Sequence, residues 1–454
     1  MSLLGSIVFF GWAPVVLYLF SRLPARQAVV VSLIAGWLFL PTSELKITSG
    51  IPAYSKMMAT CGVALLAAFI FDSKRLSSFQ FGWLDLPVFV LCICPFISSM
   101  SNALGPYDGL SAVVTQTLVW GVPYYLGRVY LCNLDGLRRL AIGIVIGGLL
   151  YVPLCVIERR LTMSLSLKLY GINSPHFASE INRYGGFRPE VFMESGLMVG
   201  LWIGAAALCA FWLWQSGALK QIWGIPLMWV AIILFLTSGY IKASGAFMIL
   251  LLGLVILFVA KWLKKAFIVL ILIAGIVLYL YDGTSGSFQG DQVINAVSTY
   301  MDKDRAASLD FRFENEVQLS AKARQKLIFG WGGWGRSRIH KIEYGQDQDT
   351  AVTDSLWIII FGTTGILGIT SWTASLLLPV INFVQRYPAS LWLKPKLAPA
   401  VAIAFLLVGY MLDSLVNAMI NPVYMLGCGG LVGLLLGQEK TRGVRSMRLS
   451  ATER

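Results

Sequence analysis

Apolar runs of about 17–22 residues recur from one end of the chain to the other, the length an α-helix needs to cross the hydrocarbon core of a bilayer. This feature removes most folds. A soluble domain would carry roughly a quarter of its residues as charges, whereas 13% of these 454 residues are charged and 57% are hydrophobic. A β-barrel would alternate apolar and polar residues along short segments, and these runs do not alternate. The chain is therefore expected to be all-α, a polytopic transmembrane helical bundle. Candidate spans lie at about 3–20, 28–41, 57–71, 84–100, 109–127, 138–157, 196–215, 223–240, 246–261, 266–281, 354–384, 397–418 and 422–437. That makes about thirteen, with roughly 12–14 as the working range. Residues 3–20 lack a basic start and read as the first span, not as a removable signal.

Basic residues then set the orientation, because Lys and Arg collect in cytoplasmic loops. One alternating set of loops holds Arg22, Arg26, Lys74, Arg75, Arg128, Arg138, Arg139, Lys220, Lys261, Lys264, Lys265, Arg386, Lys394 and Lys396. Placing that set inside divides the chain into four parts. Residues 1–281 carry the earlier spans and an outer loop at 158–195. Residues 282–353 form the largest outer loop, 354–437 the last spans, and 438–454 a basic cytoplasmic tail. The net charge of +13 thus reflects topology in part, and it gives no reason to expect nucleic acid.

Two outer segments break the charge pattern. Residues 158–195 carry Arg159, Arg160, Lys168, Arg183 and Arg188, and the large loop carries nine more, among them Arg312. Long loops are less bound by the charge rule. Two explanations stand for these cations: an anionic ligand, which guanidinium groups grip bidentately, or lipid headgroups and nearby carboxylates. The run Arg305–Ile328 is helix-like, with Leu309, Phe313, Val317 and Ala321 four apart on one face.

Gly330-Trp331-Gly332-Gly333-Trp334-Gly335 matches G-x-G-x-x-G in letter only. A dinucleotide loop needs a strand before it and a helix after it; here a helix precedes, and tryptophans fill the intervals. The glycines allow a tight turn. Trp331 and Trp334 offer faces for sugar or lipid, or anchors at the interface. Neither His176 nor His340 has partners at metal-ligand spacing. No P-loop or serine-hydrolase elbow occurs, and the seven cysteines read as small buried hydrophobes. Ionisable residues at the outer ends of spans are more telling: Glu158, Arg159, Glu194, Lys242, Asp354, and Asp413 with Asn417 and Asn421. Charges at the rim of a membrane bundle are costly, and all of these share one face with the large loop.

Several segments together resemble a family. These are Tyr124-Tyr125-Leu126-Gly127-Arg128; Arg183-Tyr184-Gly185-Gly186-Phe187-Arg188-Pro189-Glu190 leading to Glu194-Ser195-Gly196; Ser238 to Ala246; Arg312 followed by Phe329-Gly330-Trp331-Gly332; and Thr353-Asp354-Ser355-Leu356 followed by Gly365-Ile366-Leu367-Gly368. Over roughly residues 120–370 the layout resembles the O-antigen ligase and O-antigen/exopolysaccharide polymerase superfamily of integral-membrane glycosyltransferases. It departs from that pattern twice. Asp354 stands where the family has a histidine, and Ser244 where the family has an arginine, with Lys242 nearby.

The resemblance implies a multi-pass protein of the bacterial inner (cytoplasmic) membrane with a large, partly helical periplasmic loop. It implies a metal-independent transferase, without cofactor, acting on an undecaprenyl-diphosphate-linked glycan at the periplasmic face. Membrane lipid and other polysaccharide-assembly proteins are the remaining partners. Arg188 and Arg312 would hold the diphosphate, supported by Arg183 and Lys242. Asp354, or else Glu194, would take the acceptor proton. The missing histidine favours a polymerase over a ligase. The alternative is a transporter or flippase of a lipid-linked or anionic solute, which would more often show internal repeats and polar groups at mid-membrane.

Overall fold

The computed structural model describes residues 1–45, 53–173, 186–287, 303–343, 346–349 and 355–452, with side chains for all of these except 303–311, 341–343, 346–349 and 438–452. The helices are α1 (Leu3–Arg22), α2 (Ala25–Phe39), α3 (Val63–Ser77), α4 (Leu86–Ser101), α5 (Pro106–Gln116), α6 (Val122–Tyr130), α7 (Leu134–Leu161), α8 (Leu165–Tyr170), α9 (Gly196–Gln215), α10 (Leu227–Tyr240), α11 (Ser244–Leu263), α12 (Phe267–Ser285), α13 (Lys303–Arg324), α14 (Leu356–Arg386), α15 (Ala398–Asp413) and α16 (Pro422–Thr452). Single π turns lead into α3 and join α5 to α6. The strands among the described residues form three two-stranded antiparallel hairpins. The all-α expectation holds.

Among the described residues, seven helices are long and apolar enough to cross a membrane: α1, α4 with its leading turn, α7, α9, α11, α12 and α14. α2, α10, α15 and the Pro422–Gly437 part of α16 are apolar but shorter. α10, with 14 residues, rises roughly 21 Å, less than the full hydrocarbon thickness.

α9 is the central helix. Its sequence is apolar all round, with no polar face to turn to solvent, and it is enclosed by α7, α10, α11 and α15. Small residues let these backbones close in. A methyl on Gly148 would overlap Ala206, and one on Gly200 would overlap Ala243. α6 lies against α16 in the same manner, where Gly429 and Gly433, four apart, face the backbone of Tyr124 and Arg128.

One span is broken. α14 is interrupted at Gly365, whose φ of +67° and ψ of −160° belong to glycine alone. The segment after α13 fills the break. Ile366 N donates to Leu327 O (2.8 Å) and Leu367 N to Ile328 O (3.2 Å), while Trp331 N and Gly332 N donate to Gly362 O (2.9 Å) and Thr363 O (3.0 Å). Two carbonyls and two amides beside the kink thus find partners in this segment, as a low-dielectric setting requires.

The face on which α13 packs differs from the apolar stripe read along the sequence. Leu319, Ser320 and Ala323 are buried and Glu316 is half-buried, whereas Val317 and Ala321 are exposed. The polar side chains on this face have partners waiting on α12 and α14, so burial does not follow hydrophobicity here.

Candidate functional site

The ends of α7, α10, α12 and α15 and the starts of α9, α11 and α14 share one end of the bundle with α13. Two groups of ionisable side chains lie there.

The first group is built on the segment 186–195. Glu158, in the last turn of α7, is fully buried and holds this segment by its carboxylate. Oε2 accepts from Glu190 N (2.8 Å) and Val191 N (2.6 Å), and Oε1 accepts from Leu165 N (2.8 Å). Val191 sits at φ +55°, a strained value for a β-branched residue. Lys56, also buried, donates to Phe192 O at 2.7 Å and stacks over Trp37, with Glu194 in electrostatic reach. Ser195 caps α9 through Leu197 N.

Cations gather on the segment so held. Arg188 is 5% exposed and lies across the first residue of α9, its Cγ 2.6 Å from where a Gly196 methyl would be. Arg159 stacks on Tyr240, its guanidinium carbon 3.9 Å from the ring centroid. A methyl on Gly186 would lie 3.6 Å from both Arg159 Nη2 and Lys242 Nζ. Lys242 itself is strained at φ +62°. Two like charges therefore face one glycine, and Arg159 Nη1 is shielded from solvent with no hydrogen-bond partner among the described residues. An anion placed there would meet both cations at once. α9 and α11 both begin at this end, so the positive ends of their backbone dipoles add to the field.

The second group surrounds Glu316 of α13. Its Oε1 accepts from Ser355 Oγ (2.8 Å) and Trp357 Nε1 (3.3 Å), and its Oε2 accepts from Tyr279 Oη (2.8 Å). Arg312, one turn earlier, donates to Val416 O at 3.3 Å. Ser414 and Asn417 carbonyls take up Leu356 N, and Asn417 Nδ2 donates to the buried Asp413 Oδ1. Burial holds the Glu316 carboxyl above its ordinary range, against the pull of the Ser355, Tyr279 and Trp357 donors and of the Arg312 charge. A carboxyl raised on docking favours the docked state when protonated. Its contribution is therefore full below the ordinary value of 4.5 and is lost as pH rises through the raised value. Glu316→Gln, which imitates the protonated form, should flatten the dependence of melting temperature on pH above the ordinary value of 4.5. Equal pH profiles in variant and wild type would refute this account. Glu316→Ala, which strips all three donors of their acceptor, should cost about 2–4 kcal/mol.

The residues expected from the sequence are distributed as follows. Arg188 and Lys242 come together around 186–196, and Arg159 joins them. Arg312 belongs to the Glu316 group. Glu194 is exposed at the entrance to α9. Asp354 and Arg183 lie outside the described residues; their described neighbours Ser355 and Gly186 belong one to each group. Trp331 is a brace and not an open face, since Lys322 and Lys326 lie over its ring (5.0 and 5.5 Å) and its Nε1 donates to Lys322 O. Trp334 stands out at 79% exposure. The motif Tyr124–Arg128 is structural and lies at the opposite end of the bundle. Tyr124 Oη (2.6 Å) and Arg128 Nε (2.8 Å) both bind the buried Asp85 Oδ1, and Tyr125 Oη donates to Leu76 O.

Arg159 was marked in the sequence by its place at the outer end of a span but given no role, and Glu316 was visible only as a member of a charged stretch. Their one distinguishing signal is position, Arg159 ending an apolar run and Glu316 lying four residues after Arg312. No protein-family model matches the chain, and no curated protein is similar to it.

Proposed function

We propose that the chain is a multi-pass glycosyltransferase of the bacterial inner membrane, with about thirteen crossings. It would polymerise or transfer an undecaprenyl-diphosphate-linked glycan at the periplasmic face, polymerisation being favoured. The observation that carries this is the convergence of Arg159 and Lys242 on Gly186, beside Arg188, at the membrane end where the large loop docks. Such a site suits a diphosphate bridging a lipid tail and a sugar. In the reaction, an acceptor hydroxyl oxygen attacks the anomeric carbon of the donor. The bond from that carbon to the diphosphate oxygen breaks, and its electron pair leaves with the diphosphate. Arg159, Lys242, Arg188 and Arg312 meet the charge that develops there. The hydroxyl proton passes to a carboxylate, Asp354 first and Glu194 second.

A deletion strain tests the assignment through its surface glycan. Single-repeat glycans identify a lost polymerase, and polymer retained on its lipid carrier identifies a lost ligase. Complementation with Lys242→Ala or Arg312→Ala, at normal membrane levels, should lower chain extension or transfer by roughly a hundredfold or more. Wild-type glycan from both variants would sink the role of these cations. Movement of labelled lipid-linked substrate by reconstituted protein, with no new glycosidic bond, would replace the transferase with a transporter.

A further inference from the structure

Trp334 is held in a conformation that packing does not explain. Its φ is +63°, in the left-handed region, where a bulky side chain is strained. Its indole is largely exposed, so burial does not offset the strain. One bond fixes the ring instead, and a second holds its acceptor. Nε1 donates to Asp108 Oδ1 at 2.5 Å, and Ser99 Oγ donates to Asp108 Oδ2 at 2.8 Å. Asp108 lies in the first turn of α5, and the link from α4 into that turn is fastened too, with Asn102 Nδ2 donating to Gly330 O at 2.8 Å.

Glycines flank Trp334 in sequence, and the space a side chain would take on them is open among the described residues. A methyl built on Gly333 or Gly105 meets nothing within 4 Å, and one on Gly335 meets only Arg338 Cδ at 3.8 Å. Gly105 and Gly335 have positive φ, which accounts for glycine at those positions. Gly333 has neither a left-handed backbone nor a close neighbour. Its lack of a side chain leaves the backbone beside Trp334 open to approach.

We propose that Trp334, Gly333 and the first turn of α5, which carries Asp108, form the subsite for the acceptor saccharide. A sugar ring lies with its C–H face on the indole, and its hydroxyls reach the bare backbone around Gly333. This deepens the transferase reading and rests on it. An interfacial anchor needs the right depth but not a strained backbone, a tied indole N–H or an open glycine beside it.

The test uses the full chain in nanodiscs and a named probe: the repeat-unit oligosaccharide of the host cell, released from its lipid by mild acid. Binding is followed by saturation-transfer NMR. Wild type should bind, and Trp334→Ala and Gly333→Val should each weaken binding by about tenfold or more. Melting temperatures should stay at the wild-type value, most securely for Gly333→Val, which fills open space. Equal binding by both variants overturns the subsite and leaves Trp334 an interface anchor. A wild type that transfers glycan in vesicles but does not bind the saccharide overturns the subsite alone. One that neither binds nor transfers overturns the transferase reading with it.

Discussion

Glu158→Gln is expected to release the 186–195 segment and to cost about 3 kcal/mol, although it replaces one oxygen by an amide nitrogen. The carboxylate accepts three backbone N–H groups, two of them on one oxygen. An amide offers a single acceptor oxygen, so whichever way it turns, at least one buried N–H faces another donor. Hydrogen bonds to a charged acceptor contribute about 1.5–3 kcal/mol each, and an unsatisfied buried donor adds its own penalty. The effect should reach function, because this carboxylate fixes the segment that presents Arg188 and Gly186. Under the proposed function, transfer should fall by roughly a hundredfold, beyond what lost stability alone produces at temperatures where the variant stays folded. Hydrogen exchange reads the local event directly: the Glu190 and Val191 amides, slow in wild type, should become fast while α9 remains protected. Arg160→Gln, two residues further on and exposed, should be neutral within about 0.5 kcal/mol. Unchanged exchange at Val191 would show that Glu158 does not hold the segment.

What the sequence made legible follows from the physics of each feature. Span length and apolarity are local and additive, so the helical membrane bundle could be read from composition and run length. The sidedness of charge placed Glu158, Arg159, Lys242 and Asp413 together at one end, and the structure brings the first three to the 186–195 segment. Roles within that end were not legible, since they depend on which backbone groups a side chain meets. Glu158 proves to be an acceptor for amide donors from two later segments. Trp331 and Trp334 carry the same letter in the same motif, yet one ring lies under two lysines and the other stands in the open. The amphipathic stripe of α13 misled for a related reason. Leu309, Phe313, Val317 and Ala321 form an apolar row, but Tyr279, Ser355 and Trp357 offer three donors to the neighbouring face, and the helix turns to meet them.

Gly365→Ala is expected to be the most damaging single substitution, costing about 4 kcal/mol or more. Two terms add. The backbone at Gly365 lies where a β-carbon is strained by about 1–3 kcal/mol even in isolation. That carbon would also overlap Ile328 O, lie 2.5 Å from Ile328 C and 2.7 Å from Gly330 N. These are backbone atoms, so no flexible side chain can swing aside. The Leu327–Gly332 segment can retreat only by giving up its four bonds to Gly362, Thr363, Ile366 and Leu367, at about 0.5–1.5 kcal/mol apiece and more where water cannot replace them. Gly330, at φ +72° and facing Thr363 C at 2.5 Å, is the reciprocal half of the contact. Gly330→Ala should therefore fail in the same way, and the double variant should cost less than the sum of the two. Gly275→Ala provides the contrast. It lies within α12 with nothing near its absent side chain, and alanine there should stabilise by up to about 1 kcal/mol. Thermal melting in detergent separates these outcomes. If Gly365→Ala melts with wild type, the break in α14 does not depend on glycine, and the docking of the loop must be held elsewhere.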